Sequence, residues 1–424
     1  MTTAIGFFAL MFIGVPIAIV LGLTTLIYVL TTGNLTILQS MPSKLFNGLQ
    51  NFGLVAIPMF ILLGEFMNQG GITNRLLEFA KVIFGHFRGG LAYVNVVANM
   101  FLATIIGSST AQTAVMSKTV VPVMEKEGYS RDFSSALTAS ASVVAPLIPP
   151  SMPFIIYGVT AGVSIGSLFL AGILPGIIFG LGFGLYIYTI AKKRNFPRSD
   201  RSSWSQVLKG TVYVLPALSI PVLIMVGITT GIFTATESAA VAVLVAFLVG
   251  GFVYKELKWK HLPGILVRTI ITTSTVTFLL AMSDIFGWVL NFNQIPQLIT
   301  DAFLAVADNQ FVFLLLVNLL LLLIGTVLEG VPALILLTPI LVPIAVHYGV
   351  DPIHLGVIMV INLTLGLISP PVGSVLFVTS AVANVSVERL TRSLIPFLII
   401  SCLILMIITY IPWTTLGLQK LLGP

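Results

Sequence analysis

The chain has 424 residues, of which 57% are hydrophobic and only 8% are charged, and its formal net charge is +6. Because soluble domains carry about a quarter of charged residues, water is excluded as the main solvent of this surface. The basic residues lie in short segments between apolar runs, which indicates a membrane-topology signal rather than binding to nucleic acid. A single cysteine and four scattered histidines argue against a transition-metal site.

Apolar runs of about 20 residues recur along the chain, and each is long enough to cross a hydrocarbon core as a helix. The sequence therefore predicts an all-α membrane protein, a polytopic helical bundle surrounded by membrane lipids. Inside a bilayer, non-helical backbone is expected only where protein or a cavity shelters it. Breaks in the apolar runs therefore indicate candidate functional sites. The predicted crossings are 5–31, 52–69, 133–168, 171–191, 211–230, 235–254, 265–290, 353–388 and 390–413.

Two stretches, 89–124 and 310–344, do not fit simple crossings. Each has two apolar halves around a polar break that contains a glycine, Gly107 in the first and Gly325 in the second. This pattern predicts re-entrant hairpins, whose tips are these breaks. Each hairpin is followed by a crossing that is broken at a double proline.

The breaks recur at a nearly constant distance along the chain. The glycines Gly107 and Gly325 are 218 residues apart, and the double prolines that begin at Pro149 and Pro370 are 221 apart. Such spacing is typical of a duplication. The crossings between the copies make them point in opposite directions, so the repeat is predicted to be inverted.

Two basic segments, 192–209 and 255–268, orient the bundle. Two crossings separate them, so they share one side, which the positive-inside rule makes cytoplasmic. The first hairpin then opens from the cytoplasm and the second from outside, so their tips approach each other near the midplane. Secondary transporters build sites of alternating access in this way.

The predicted domain organisation follows from these elements. The segments before the hairpins are too polar to cross and are interpreted as interfacial helices, with helices packed on protein as the alternative. The first repeat, 1–191, comprises scaffold 1–70, interfacial helix 72–88, hairpin 89–124 and broken helix 133–168. A cytoplasmic loop and linking span, 192–234, lead to the second repeat, 235–424, with scaffold 235–290, interfacial helix 295–308, hairpin 310–344 and broken helix 353–388.

Hairpin tips and proline breaks leave backbone groups unpaired, which suits them to ligands. Free carbonyls bind small cations, and free N–H groups at the starts of half-helices suit a carboxylate. The alternative is that the breaks only permit close packing, with hydroxyls bonded back to their own helices. The candidate Na⁺ ligands are Gly107, Ser108, Ser109, Thr110 and Pro149 at the first tip and break, and Gly325, Thr326, Ser369 and Gly373 at the second.

Acidic residues in apolar sequence are functional candidates by default. Glu329 lies in the second tip, and the first tip has no equivalent acid. We expect Glu329 to organise substrate or coupling ion; alternatively it is protonated or accepts bonds from tip amides. Glu65 and Asp284, 219 residues apart, lie toward the ends of equivalent crossings, where snorkelling to the interface explains them.

The sequence contains no motif that supports an enzymatic function. Residues 162–166 match the nucleophile-elbow pattern of hydrolases but lie in an apolar helix without its strand context. No P-loop is present, so no nucleotide is hydrolysed by that motif. The sequence predicts a transporter rather than an enzyme, without a cofactor, driven by an ion gradient; an ion or solute channel is the alternative.

Four motifs resemble the large membrane subunit of tripartite ATP-independent periplasmic (TRAP) transporters: residues 88–95, 107–109, 231–237 and 336–343. The resemblance runs through nearly the whole chain. It implies an elevator-type, Na⁺-coupled importer in a bacterial inner membrane. It also implies two partners, a small four-helix membrane subunit and a soluble periplasmic substrate-binding protein.

The resemblance also implies a substrate and residues that face it. Family substrates are mostly carboxylates, including C4-dicarboxylates and sugar acids, and we expect a sugar acid such as sialic acid. Carried onto this sequence, Ser108, Ser151 and Glu329 face the substrate. The second tip of the family usually carries Asp, so Glu329 keeps the acid and lengthens its reach by one methylene.

Overall fold

The computed structural model describes residues 2–33, 35–198 and 203–422, and within these ranges it contains helices and no β-strand. The prediction of an all-α membrane protein is confirmed. Eight helices of the described chain are long and apolar enough to cross a membrane: 52–69, 165–193, 204–229, 235–253, 259–292, 310–327, 330–347 and 387–410.

The helices are numbered in chain order. The described part of the first half contains α1 (Thr2–Phe12), α2 (Ile17–Thr32), α3 (Leu35–Leu49), α4 (Ala56–Gln69), α5 (Ile72–Phe84), α6 (Gly90–Ile106), α7 (Ser109–Thr119), α8 (Val121–Lys126), α9 (Arg131–Ala141), α10 (Met152–Ala161) and α11 (Ile165–Lys193). The described part of the second half contains α12 (Trp204–Thr229), α13 (Ala235–Leu248), α14 (Leu262–Phe292), α15 (Ile295–Leu304), α16 (Gln310–Val327), α17 (Gly330–His347), α18 (Pro352–Ile368), α19 (Ser374–Ala383), α20 (Val387–Tyr410) and α21 (Trp413–Leu422).

The two halves of the chain repeat the same order of elements and pack reciprocally. Hairpin α6–α7 and the broken pair α9–α10 return as hairpin α16–α17 and the broken pair α18–α19. Helix α7 packs on α19 while α10 packs on α17, and α2 packs on α14 while α4 packs on α13. Each half therefore completes the other. The exact limits proposed for the two repeats stay a prediction.

The predicted single crossing 5–31 is wrong, because the chain reverses within it. Helices α1 and α2 fold back on each other, and a Cβ added to Gly6 would lie 3.0 Å from Ile27 Cδ1. The turn contains Gly14 with a φ of +86°, and Pro16 follows it. Glycine adopts this left-handed backbone readily, and proline lacks the N–H that would continue α1.

A left-handed glycine also lies in the turn that joins α12 to α13, where Gly231 has a φ of +71°. Helices α12 and α13 pack on each other as α1 and α2 do. The predicted crossing 211–230, which has no counterpart among the crossings predicted for the first copy, corresponds to the shorter helix α1.

The two predicted interfacial helices differ in how much protein covers them. Helix α5 buries its apolar face between α6 and α12, whereas α15 buries none of its described residues. The alternative of a helix packed on protein therefore describes α5. The position of either helix relative to a membrane stays a prediction.

A buried arginine fixes α5 to the rest of the bundle. The Arg75 guanidinium donates to the Gly71 carbonyl at 2.7 Å and to the Tyr213 hydroxyl at 3.0 Å, and it pairs with Glu256 at 2.8 Å. It also lies 3.9 Å from the ring centre of Tyr254. Burial lowers the pKa of Arg75, but the hydrogen bonds to Tyr213 and Glu256 outweigh it and raise the pKa above its ordinary value. We call this group the Arg75 anchor.

Helices α16 and α18 cross with their backbones almost in contact. A Cβ on Gly325 would lie 2.8 Å from the Leu363 carbonyl oxygen, and a Cβ on Gly366 would overlap the backbone of Gly325. Glycine is required at both positions because any side chain would force the helices apart. This crossing holds the second tip against the helix that precedes the second break.

We expect Gly366→Ala to lower the free energy of unfolding by about 1–3 kcal/mol, because the added methyl overpacks the crossing. Gly184→Ala is the matched control, since its Cβ would meet only Tyr93 Cε1 at an ordinary 3.8 Å. Thermal unfolding of the purified protein in detergent measures both. Equal melting temperatures for the two variants would contradict the close crossing.

Candidate functional site

The first tip lies directly against the first proline break. Helix α6 ends at Gly107, whose φ of +60° turns the chain, and Ser108 then caps α7 by accepting a hydrogen bond from the Ala111 N–H at 3.4 Å. A Cβ on Gly107 would lie 3.7 Å from the Met152 nitrogen and 3.9 Å from the Pro150 carbonyl oxygen. The structure therefore brings the starts of α7 and α10 together.

The hydroxyls of the first tip differ in exposure. Ser108 is exposed, Thr110 is half-buried, and Ser109 and Pro149 are buried. The Ser109 hydroxyl has no hydrogen-bond partner among the residues that the structure describes. A buried hydroxyl without a partner costs about 1–3 kcal/mol, so Ser109 is suited to accept a ligand.

The unpartnered hydroxyls continue along α7, a feature that the sequence prediction missed. Thr113 and Ser117 lie one and two turns beyond Ser109 on the same face, both are buried, and neither has a described partner. The hydroxyls of Ser140 on α9 and Ser374 at the start of α19, two helices that pack on α7, also have no described partner. The spacing of four residues between hydroxyls was the sequence signal that could have revealed this stripe.

Ser151 positions the start of α10. Its side chain is fully buried, and its hydroxyl donates to the Pro146 carbonyl and accepts from the Phe154 N–H at 3.4 Å. The hydroxyl thus both donates and accepts a hydrogen bond within the break, as expected of a helix cap. Its predicted contact with substrate stays a prediction.

The acidic side chain of the second tip, Glu329, has no partner within the described chain. Glu329 precedes the first residue of α17 and is exposed, and its side chain makes no hydrogen bond or ion pair within the described chain. The alternative in which it accepts bonds from tip amides is therefore not what the structure has. A carboxylate in this position can accept hydrogen bonds from a ligand or contribute to a cation site.

The second tip and the second break are joined by their backbones. The Gly373 N–H donates to the Thr326 carbonyl at 3.0 Å. A Cβ on Gly373, whose φ is +44°, would lie 2.7 Å from the Ser369 carbonyl oxygen and 2.8 Å from that of Leu367. Three carbonyl oxygens thus surround this glycine, next to the crossing at Gly325.

The two hydroxyls at this end bond back to their own helices. Thr326 donates to the Leu323 carbonyl and Ser369 to the Leu365 carbonyl, both at 2.7 Å. This pattern matches the close-packing alternative. It leaves ion binding open, however, because a donating hydroxyl keeps lone pairs for a cation.

Four half-helices begin at the tips and breaks, namely α7, α10, α17 and α19. Helices α7 and α10 start close together at the first tip, and the start of α19 is bonded to the second tip through Gly373 and Thr326. Helix α7 packs on α19 and α10 packs on α17, which joins the two ends. Helix starts carry partial positive charge, so the arrangement can hold an anion. The neighbouring carbonyl and hydroxyl oxygens suit a hard cation.

The acids Glu65 and Asp284 have different surroundings. Glu65 receives both Nε and one terminal nitrogen of Arg268 at 2.8 Å, so an ion pair rather than snorkelling explains it. Asp284 lines a cavity of about 360 Å³ together with Lys44. Neither feature was predicted, because each joins residues that are distant in sequence.

Comparison with known proteins gives a consistent result. The family model described as "Tripartite ATP-independent periplasmic transporter, DctM component" matches residues 4–414. The sialic acid TRAP transporter large permease protein SiaM of Vibrio cholerae is 38% identical, over 98% of this chain and 97% of that protein. The C4-dicarboxylate TRAP transporter large permease protein DctM of the same organism is 37% identical, over 98% and 96% of the two chains.

Two further comparisons concern a fused relative and a fold. The isethionate TRAP transporter permease protein DctMQ of Oleidesulfovibrio alaskensis is 40% identical, over 96% of this chain and 64% of that protein. The YdaH transporter of Alcanivorax borkumensis, a solved structure, has a TM-score of 0.66 at 15% identity, over 91% of this chain and 90% of that one. This second likeness concerns the fold alone.

The two serines of the first tip and break should differ in their effect on stability. We expect Ser151→Ala to lower the free energy of unfolding by about 1–2 kcal/mol, since it leaves a buried carbonyl and N–H unpaired. Ser108→Ala should cost about 0.5 kcal/mol, because Ser108 is an exposed cap. Thermal unfolding of both variants checks this, and a larger loss for Ser108→Ala would contradict the assigned roles.

Proposed function

The chain belongs to the family of DctM components of tripartite ATP-independent periplasmic transporters, and we propose that it imports a small organic anion by coupling to a Na⁺ gradient. It is a multi-pass protein of the bacterial inner membrane and a transporter rather than an enzyme. The proposed substrate is a sugar acid such as sialic acid, with a C4-dicarboxylate as the next candidate.

The observation that carries Na⁺ coupling is the backbone junction at Gly373. Its N–H donates to the Thr326 carbonyl, which ties the second hairpin to the second break. The carbonyl oxygens of Leu367 and Ser369 also lie beside this glycine. A small hard cation prefers several such oxygens. The Ser369 and Thr326 hydroxyls can add lone pairs, and the unpartnered Ser109 hydroxyl supports a second cation site at the first tip.

Anion binding is proposed at the tips, between Ser108 and Glu329. The substrate carboxylate would be held by the N–H groups that begin α7 and α10, where Ser108 is exposed and Ser151 fixes the helix start. Glu329, as a carboxylate, would repel that group and instead accept bonds from substrate hydroxyls. Bound Na⁺ would offset the negative charge of the anion.

Movement is proposed to follow the packing. The two hairpins and two broken pairs would slide as one body against α2, α4, α13 and α14, which is an elevator motion. The Arg75 anchor holds α5 to the fixed side. The segment between α5 and α6 contains Gly85 and Gly89, and Gly89 has a φ of +82°, which supports a hinge there.

The proposed partners are a small four-helix membrane subunit and a periplasmic substrate-binding protein. We propose that the small subunit binds the fixed side, around α12 and α13, because a moving body needs a stationary support. Chemical cross-links between the small subunit and this chain test the surface. Cross-links confined to the hairpins would contradict it.

Uptake into proteoliposomes tests the transport proposal. The chain is reconstituted with the small subunit and the cognate binding protein, and labelled sialic acid or a C4-dicarboxylate is supplied under an inward Na⁺ gradient. We expect Ser108→Ala and Glu329→Gln to lower Na⁺-dependent uptake at least about tenfold, because each removes a charged or polar contact. Glu388→Gln, which removes an exposed acid paired with Arg392, is the control and should transport normally.

Ion coupling is tested by the same assay at varied Na⁺. We expect Thr326→Ala and Ser369→Ala to raise the Na⁺ concentration for half-maximal uptake, because each removes a candidate ligand. Uptake that persists without Na⁺ or any other cation gradient would overturn the coupling. Conductance far above transporter turnover in planar bilayers would indicate a channel instead.

A further inference from the structure

A polar cavity lies outside the tip site, between the fixed helices and the moving body. Its volume is about 360 Å³, which is within the usual size of small-molecule sites. One wall is formed by α3 and α14, with Lys44, Asp284 and Trp288, and the other by α10 and α17, with Thr160 and Pro339. No predicted tip residue lines it, so this cavity is separate from the site described above.

The two charged side chains of this cavity do not contact each other directly. Within the described chain, neither Lys44 nor Asp284 forms an ion pair, although both line the same space. The Lys44 ammonium lies 5.6 Å from the ring centre of Trp288. Base, acid and aromatic ring thus face one space and are available to a ligand.

The symmetry-related position shows the alternative arrangement. Glu65, 219 residues before Asp284, is neutralised directly by Arg268 at 2.8 Å. The same fold can therefore close an acid–base pair in this position. In the second copy Asp284 and Lys44 line one cavity without forming an ion pair, so both side chains can bind a ligand that enters it.

The cavity lies along the helices that lead away from the tips. Thr160 is eight residues beyond Met152, the first residue of α10, and Pro339 is nine beyond Gly330, the first residue of α17. At 1.5 Å per residue, both wall residues lie roughly 12–14 Å from the helix starts. In the predicted topology this direction leads outward, so the cavity lies where an anion from outside would arrive.

We propose that this cavity is an outer vestibule that selects hydroxylated monoanions before they reach the tips, an inference that rests on the proposed transport function. The Lys44 ammonium binds the single carboxylate or sulfonate. Asp284 accepts bonds from hydroxyl or amide N–H donors, with Asn51 and Asn291 nearby. The Trp288 ring packs against the C–H face of the ligand.

Asp284 gives the vestibule its selectivity. A C4-dicarboxylate that places one carboxylate on Lys44 brings a second carboxylate into a cavity that Asp284 also lines, and like charges at close range repel. A sugar acid brings hydroxyls instead. The inference therefore narrows the proposed substrate class to hydroxylated monoanions and excludes C4-dicarboxylates.

Trp288 allows binding to be measured directly. In the variant Trp204→Phe, Trp259→Phe, Trp413→Phe, reconstituted in nanodiscs, Trp288 is the single tryptophan and its fluorescence reports the cavity. We expect sialic acid to change this fluorescence saturably and succinate to bind at least about tenfold more weakly. Lys44→Gln should weaken sialic acid about tenfold, and Asp284→Asn should strengthen succinate about tenfold. Lys260→Gln, which removes an exposed lysine elsewhere, is the matched control.

Tip variants and transport kinetics separate this inference from the proposed function. Glu329→Gln should abolish uptake but leave the change in Trp288 fluorescence intact. That result would show that the fluorescence change arises from binding in the vestibule and not at the tips. In the natural tryptophan background, Lys44→Gln should raise the KM for sialic acid about tenfold at unchanged kcat. The vestibule would be overturned if Lys44→Gln changed neither the KM for sialic acid nor the Trp288 fluorescence response. Normal uptake of sialic acid in that variant would still support the transport function.

Two other results have separate meanings. A saturable Trp288 response without uptake of any organic anion would refute the transport function and leave the cavity as a binding site. Unchanged succinate affinity in Asp284→Asn would overturn the selectivity assigned to Asp284.

Discussion

The structure depends on one constraint, which is that backbone polar groups at membrane depth must find partners within the protein. Most of the chain meets it with continuous helices. At Gly107 and Gly373 the helices are interrupted, and each interruption lies against a second one, tip against break. The unpaired groups are thereby gathered into sheltered places, where polar ligands can bind inside the bundle.

The parts of the fold that sequence predicted are those where glycine and proline leave a local mark. The helices are interrupted at both predicted tips and at both double prolines, because a left-handed glycine such as Gly107 turns the chain and a proline such as Pro149 cannot continue a helix. The re-entrant path of the hairpins stays a prediction. The turn at Gly14 was missed because it lies inside an unbroken apolar run, which a single crossing also explains. Apolar composition indicates that a segment lies in lipid, but it does not show whether the chain reverses its direction within that segment.

The candidate site was predictable in location but not in detail. Sequence grouped Thr326 with Gly373, yet it could not show that the Ser151 hydroxyl is occupied by its own break or that Ser109 lacks a partner. The cavity beside Lys44 was beyond reach, because it depends on how α3 packs on α14. Contacts between residues that lie hundreds of positions apart leave no recognisable pattern in the local sequence.

The reciprocal packing of the two copies also constrains how the protein is made. Helix α7 is covered by α19, and α10 by α17, so the interruptions of the first copy stay uncovered until the second copy has been synthesised. A nascent chain that ends near α12 would hold half-helices with unpaired backbone groups and unpartnered hydroxyls in the bilayer. Insertion must therefore be followed by a late assembly step, and a truncated product would be a substrate for membrane proteases rather than a working half-transporter.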